Sequence, residues 1–335
     1  ILVGILADRR EIKERETLEK ICRLVGVDSG EAELVHYNAN AMIIVPSWGL
    51  ALRARPSGSP EMLEEIRASV KVCRWLGEKG FPTSRPMKIE PFAQDGWTIS
   101  FWFLEHLKRE KDQQPTGGEL GKILKELHQL PAPPFEVPSL QDPFFSVKQA
   151  IEEVSETVFA SGHREWLSGR IKQLSEDWQE WEEQKSVKPD LEYGLIHGDP
   201  HPNNLMRTVE GKVLMGDWDK VRLGSRVWDL MQIIYFRDRF DLGAEDVDEF
   251  MRAYGHDFRE WEGLELCLRV REVSGLGSLI RKAASDPFAQ FELSWRVMTL
   301  MDERTKAKWN LSGDLNESRS RIEKRHPKIA TELAF

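Results

Sequence analysis

The strongest restriction on the fold is a change of hydrophobic period near residue 107. Before it, apolar residues fall in short runs: Glu33 to Tyr37, Ala41 to Val45, Leu50 to Ala54, Met87 to Ile89 and Thr98 to Leu104. Turn-like Asn-Ala-Asn at 38–40 and Pro-Ser-Trp-Gly at 46–49 separate the first three, which predicts strands in a small, mostly antiparallel sheet. A helix over 60–77, with Leu63, Ile66, Val70 and Cys73 on one face and Gly80 beyond its end, is inserted among them. Another, over 11–27, precedes them with Leu18, Ile21, Cys22 and Val25 aligned. After Leu107 the spacing is helical: over 118–130, along 145–184, and over 226–237, 245–254, 262–283 and 287–308. The stripe Leu167, Ile171, Leu174, Trp178 and Trp181 in the long stretch reads as core rather than as a cofactor box. The expected class is α+β, with a small β-rich part over 1–104 and a larger helical part over 105–335.

Composition narrows the partners. The net charge is −9 without a Lys/Arg run, so a nucleic-acid face is not expected. An acidic chain can favour a cationic substrate, and the plainer alternative is that the acidity only aids solubility. No stretch approaches the roughly 18 apolar residues of a membrane span. The opening Ile-Leu-Val-Gly-Ile-Leu-Ala lacks a preceding basic region and a cleavage site, so it does not read as a signal peptide. Cys22, Cys73 and Cys267 are spaced for neither a zinc site nor a disulfide framework, as expected of buried thiols in a reducing cytoplasm.

Residues 193–219 break the helical pattern. They contain Gly194-Leu-Ile-His-Gly-Asp-Pro-His-Pro-Asn-Asn-Leu-Met206 and then Val213-Leu-Met-Gly-Asp-Trp-Asp219. Phosphoryl transfer needs a carboxylate to orient an acceptor hydroxyl and take its proton, and hard oxygen ligands to hold Mg²⁺ against the triphosphate. Asp199 and Asn204 share one loop, and Asp217 ends a short apolar run thirteen residues beyond Asn204, the length of a small hairpin. Two strand ends can thus deliver three oxygen ligands to one place.

His197-Gly198-Asp199 followed by Asn204 resembles the HGDxxxxN motif of the aminoglycoside phosphotransferase and choline kinase superfamily, the counterpart of the protein-kinase catalytic loop. Gly216-Asp217-Trp218-Asp219 is similar to the superfamily's I-D-W-D/E element, Trp228-Asp229-Leu230 to the element after it, and Glu119 to His128 to its helix ending in Leu-His. The resemblance runs in order from about residue 36 to 235. It implies a bilobal protein-kinase-like fold and a kinase using ATP and Mg²⁺, with Asp199 as catalytic base and Asn204 and Asp217 as metal ligands. His197 would brace the loop, Asp229 would tie it down, and Asp219 would be an alternative metal ligand, a support behind the ligands, or a solvated carboxylate.

The resemblance places further residues. Asn40 stands where relatives carry an Asn in the phosphate-covering loop; an ordinary turn is the alternative. In Leu50-Ala-Leu-Arg-Ala-Arg-Pro56, Arg53 is the match for the ATP-binding basic residue, and Arg55 on the same face is the fallback. The glutamate that pairs with this residue in relatives falls at Ser69, with Glu65 one turn earlier as a substitute. Adenine would meet the backbone near Phe103 to Glu105. The implied acceptor is a hydroxyl on a small molecule, cationic if the acidic residues of 238–265 clasp it: an aminoglycoside or another antibiotic, with antibiotic resistance as the role. The alternatives are a metabolic kinase for choline, homoserine or a sugar, and a nucleotide-binding pseudokinase scaffold. The expected assembly is a monomer or homodimer with neither nucleic-acid nor membrane partners.

Overall fold

The computed structural model describes residues 2–37, 40–108, 114–185, 193–302 and 307–310. The chain forms two compact units, neither of them a single stretch of sequence. Ile1–Pro115, Gln129–Pro138 and His197–Arg222 make the first, and Thr116–His128, Ser139–Ile196 and Leu223–Phe335 the second.

The first unit opens with helix α1 (Leu2–Val25), which starts earlier than its apolar pattern suggests. Strands β1 (Glu33–Tyr37), β2 (Ala41–Val45) and β3 (Leu50–Arg55) follow, then helix α2 (Pro60–Glu78), β4 (Phe92–Gln94) and β5 (Trp97–Phe103). They form an antiparallel five-stranded sheet in the order β1-β2-β3-β5-β4. Period-two alternation gives the sheet two unlike faces. One carries Ala41, Ile43, Val45, Leu50, Leu52, Ala54, Ile99 and Phe101, buried in one cluster with Ile21 and Cys22 of α1. The other carries Arg53 and Arg55 of β3, whose neighbours across the β3–β5 ladder are Ser100 and Thr98. Ser59 caps α2, accepting a hydrogen bond from Met62 N at 3.2 Å, and Pro60 occupies the first turn, where a missing N–H costs nothing.

The strand expected at Met87–Ile89 is absent; the edge strand is Phe92–Gln94 instead. Met87 N does donate to Phe101 O at 2.9 Å, and Pro86 bridges to Trp102. Prolines at 86 and 91 remove the N–H groups on either side, so the ladder does not propagate.

The second unit is mainly helical: α3 (Gly117–Gln129, its last residue in the first unit), α4 (Phe145–Glu153) and α5 (His163–Lys185), then, after the intervening strands, α6 (Val227–Leu230), α7 (Gln232–Phe240), α8 (Ala244–Tyr254), α9 (Leu264–Ser274), α10 (Gly277–Ala283) and α11 (Pro287–Met301). The stretch expected as one helix over 145–184 is broken between α4 and α5. Val154 and Ser155 are extended, the Ser155 hydroxyl accepts from Thr157 N, and Gly162 takes a φ of 75° that ends any continuous helix. The helices expected over 226–237 and 262–283 are each two shorter ones. Beyond α11, Asn310 gives both its backbone N and Nδ2 to the fully buried Glu292 carboxylate, which also pairs with Arg296 at 2.8 Å. Each charge of this pair is thus matched by a partner, as a buried charge requires. Among the described residues no helix is long and apolar enough to cross a membrane.

Candidate active site

The loop after strand β6 (Tyr193–Ile196) leads through a single 3-10 turn, Pro202–Asn204, into a hairpin of β7 (Leu205–Arg207) and β8 (Val213–Met215). Leu205 pairs with Met215 and Arg207 with Val213, and Gly216 N donates to Asn204 O at 2.9 Å. Asn204 and Asp217 therefore stand at neighbouring ends of the same hairpin. The chain then turns through Trp218–Lys220 into strand β9 (Arg222–Ser225).

His197 is fully buried and holds this loop together. Its Nε2 lies 2.8 Å from Gly216 O, and its Nδ1 takes Asp199 N at 3.4 Å. A carbonyl at one nitrogen and an N–H at the other put the ring proton on Nε2. The ring packs on Trp218 at a centroid distance of 4.7 Å. Gly198 has a φ of 88°, and a Cβ there would stand 2.2 Å from Lys220 O. Only glycine fits between His197 and Asp199 on both counts. Asp217 is itself left-handed at φ 57°, a conformation that aspartate tolerates better than most residues.

The Asn204 amide donates through Nδ2 to Asp199 O at 2.9 Å. That carbonyl fixes which end of the amide is nitrogen, so Oδ1 is the atom left for a cation. Asp217 is half exposed and accepts at Oδ1 from Arg53 Nη2 at 2.8 Å. The donor set is oxygen only, as Mg²⁺ prefers when nucleotide phosphates complete its shell. Among the described residues no three His, Cys, Asp or Glu side chains cluster to hold a metal by themselves.

Arg53 is the centre of the charge network. Its Nη1 meets Asp219 Oδ1 at 2.9 Å and its Nη2 meets Asp219 Oδ2 at 2.8 Å, a two-pronged pair in which both side chains are nearly buried. Burial alone would lower the Arg53 pKa, but Asp219 and then Asp217 outweigh it and raise the value above the ordinary one. Burial likewise pushes Asp217 up, and the Arg53 guanidinium overrides it, leaving the carboxyl below its usual range. Arg55 reaches Asp219 Oδ2 at 3.3 Å and donates through Nε to Asn40 Oδ1 at 3.0 Å. Asn40 thus contacts Arg55, not Arg53. Nearby, burial raises the Cys73 thiol.

Ser69 is buried on α2, and Glu65 does not take its expected place: it pairs with Arg222 at 3.6 Å. Lys220, exposed over much of its surface, is still crowded enough for lost hydration to lower its amine below the usual lysine range, while the Glu65 and Asp199 carboxylates pull the other way. Neither Lys220 beside Asp199 nor the grip of Asp219 on Arg53 was signalled by the sequence, since each joins residues whose proximity only the folded chain creates. At the end of β5, Phe103 N donates to Arg85 O at 2.9 Å, Leu104 N to Gly49 O at 2.8 Å, and the Glu105 carboxylate pairs with Arg85 at 2.8 Å. In the second unit, buried Asp229 lies 3.1 Å from His128 Nε2, whose Nδ1 is 2.9 Å from the Tyr254 hydroxyl.

A sequence profile described as "APH: Phosphotransferase enzyme family" matches residues 38–267. No curated protein sequence matches the chain. Among solved structures, a spectinomycin phosphotransferase in complex with ADP and spectinomycin is 17% identical, with a TM-score of 0.52, covering 80% of this chain and 88% of the other. An aminoglycoside phosphotransferase from Streptomyces rimosus is 15% identical at a TM-score of 0.57, covering 77% and 98%. A choline kinase from Streptococcus pneumoniae is 15% identical at 0.55, covering 87% and 99%. Likeness at this level establishes a shared protein-kinase-like fold.

Proposed function

This chain belongs to the APH phosphotransferase enzyme family, and from that premise we propose that it moves the γ-phosphoryl group of ATP to a hydroxyl of a small amine-bearing molecule, with Asp199 as the base. The observation that carries this reading is the hairpin that sets Asn204 and Asp217 side by side, with Asn204 bonded to the Asp199 backbone and Asp217 to Arg53. Asp199 takes the proton of the acceptor hydroxyl as its oxygen forms the new bond to phosphorus and the bond to the ADP oxygen breaks. Asn204 Oδ1 and the Asp217 carboxylate would hold Mg²⁺. When bound, the ion would offset charge on the phosphate oxygens. Arg53 keeps N–H groups beyond those given to Asp217 and Asp219, and these would face the phosphates that are not transferred. Asn40 serves the same part of the site from its bond to Arg55. The N–H groups of Phe103 and Leu104 are already committed, so adenine recognition falls to the Phe103 carbonyl and the Glu105 N–H. In this reading residues 1–104 chiefly bind nucleotide, 105–335 supply the base and the acceptor pocket, and the enzyme works in the cytoplasm.

Similarity to proteins named for spectinomycin, aminoglycosides and choline supports an acceptor with both an amine and a hydroxyl. One observation favours a small metabolite of this kind over a polycationic antibiotic. Many carboxylates of 238–265 are already engaged: Asp238 with Arg237 at 2.7 Å, Asp248 and Asp257 with Arg259, Glu265 with Arg269, and Asp246 with Gly117 N at 2.9 Å. The test is ADP release with Mg·ATP across aminoglycosides, other antibiotics, choline, amino alcohols, homoserine and sugars. One acceptor should stimulate release, and Asp199→Asn should cut that rate by about 10²–10⁴-fold. Wild-type turnover in the variant would refute the assignment of the base, and Mg·ATP binding without any stimulating acceptor would favour a scaffold.

A further inference from the structure

The carboxylate that fixes the nucleotide-binding cation comes from an unexpected element. In protein kinases this cation is paired by a glutamate on the helix inserted between the strands. Here α2 offers buried Ser69, which has no carboxylate, and Glu65 is turned to Arg222. The helix nevertheless packs against the 218–220 turn that carries Asp219, and Ser69 stands on it one turn before buried Cys73. The two carboxylates that do meet Arg53 both belong to the 217–219 turn, and they differ in kind. Asp217 is 47% exposed and makes one contact; Asp219 is 10% exposed and makes two.

We infer that Asp219 is the positioning residue for Arg53, replacing the helix acid that Ser69 does not supply; this rests on the nucleotide reading given above. A guanidinium held at both terminal nitrogens by one carboxylate has its plane fixed. A single contact to Asp217 leaves that plane free to rotate. Were Asp217 to hold a cation, its share of Arg53 would weaken and Asp219 would remain the anchor. Arg55 Nη2 also reaches Asp219 Oδ2, at 3.3 Å, so the carboxylate is itself braced by a second cation. The near-burial of Asp219 against Arg53 and Arg55 fits this role better than that of a metal ligand, which must face the phosphates.

The test is a double-mutant cycle on the dissociation constant of Mg·ATP, measured by titration calorimetry. Asp219→Asn is expected to weaken binding by about tenfold to a hundredfold, the scale of a lost charge-assisted pair. Arg53→Gln should weaken it comparably, and the double variant should bind no worse than Arg53→Gln alone, because one residue acts through the other. Ser69→Glu added to Asp219→Asn should restore much of the affinity by returning a carboxylate to α2. Asp219→Asn binding like wild type would overturn the inference, and so would losses that simply multiply in the double variant, the signature of an independent metal ligand. Thermal melts of each variant establish that it is folded, and Asp219→Glu, which keeps the charge, should stay closer to wild type than Asp219→Asn. A wild-type chain that binds no Mg·ATP would remove the nucleotide reading itself, a failure visible before any variant is made.

Discussion

At the scale of single residues, the site is held by close backbone packing as much as by charge. Gly198 shows this best, with its left-handed φ and the Lys220 carbonyl where a Cβ would go. Gly198→Ala is therefore expected to displace Asp199 or Lys220 and to cost turnover about as severely as loss of the base, on the order of 10²-fold or more. Nucleotide binding, proposed above to rest on Arg53, should change far less; calorimetry beside a rate assay distinguishes the two, and unchanged turnover would refute the packing argument. That His197-Gly198-Asp199, Asn204 and Asp217 come together was legible in the sequence, because they lie at short, fixed spacings along one loop and one hairpin. Their partners were less so. Asp219 meets Arg53 across 166 positions, and no local pattern reports such a contact.

Elements follow the sequence where one physical rule decides them. The strands of the sheet alternate cleanly, so Leu52 is buried on one face while Arg53 is delivered to the other. The expectation fails where rules compete: prolines at 86 and 91 suppress a strand whose residues favour one, and Ser155 and Gly162 interrupt a helix whose apolar stripe spans the break. Helix α5 carries a further consequence at its first residue. His163 is buried, and that burial lowers its pKa below the ordinary value. A cation there would also face the positive end of the helix. The unfolded chain binds the imidazole proton at about pH 6.5, before the folded one does, so stability falls as pH drops below that value. The melting temperature is expected to fall more between about pH 7.5 and 5.5 in wild type than in His163→Gln. Parallel curves for the two proteins would show that His163 is not responsible.

On the scale of the whole molecule, the first unit is completed by sequence that arrives late in the chain. Met215, fully buried, donates its N to Pro82 O at 2.9 Å and takes Ser84 N at 3.0 Å, while buried Trp218 packs against Phe81. Residues 1–115 expressed alone would lack both and expose the surface they cover. Such a fragment is expected to bind hydrophobic dyes and lose the near-ultraviolet dichroism of the intact chain, whereas a well-dispersed amide spectrum would contradict this. The change of period at residue 107 made the β-rich and helical regions legible, but not the return of 197–222 to the first unit, because periodicity describes neighbours in sequence and says nothing of a chain that doubles back. The pairing of Arg53 with a turn rather than with a helix has a bearing on control. Where the partner acid rides on a mobile helix, swinging that helix away disconnects the cation and switches catalysis off. Here both carboxylates arrive on one turn, and one of them, Asp217, is the prospective metal ligand, so a displacement of α2 would not break the connection. On the nucleotide reading, swinging α2 away therefore offers no off position at that joint.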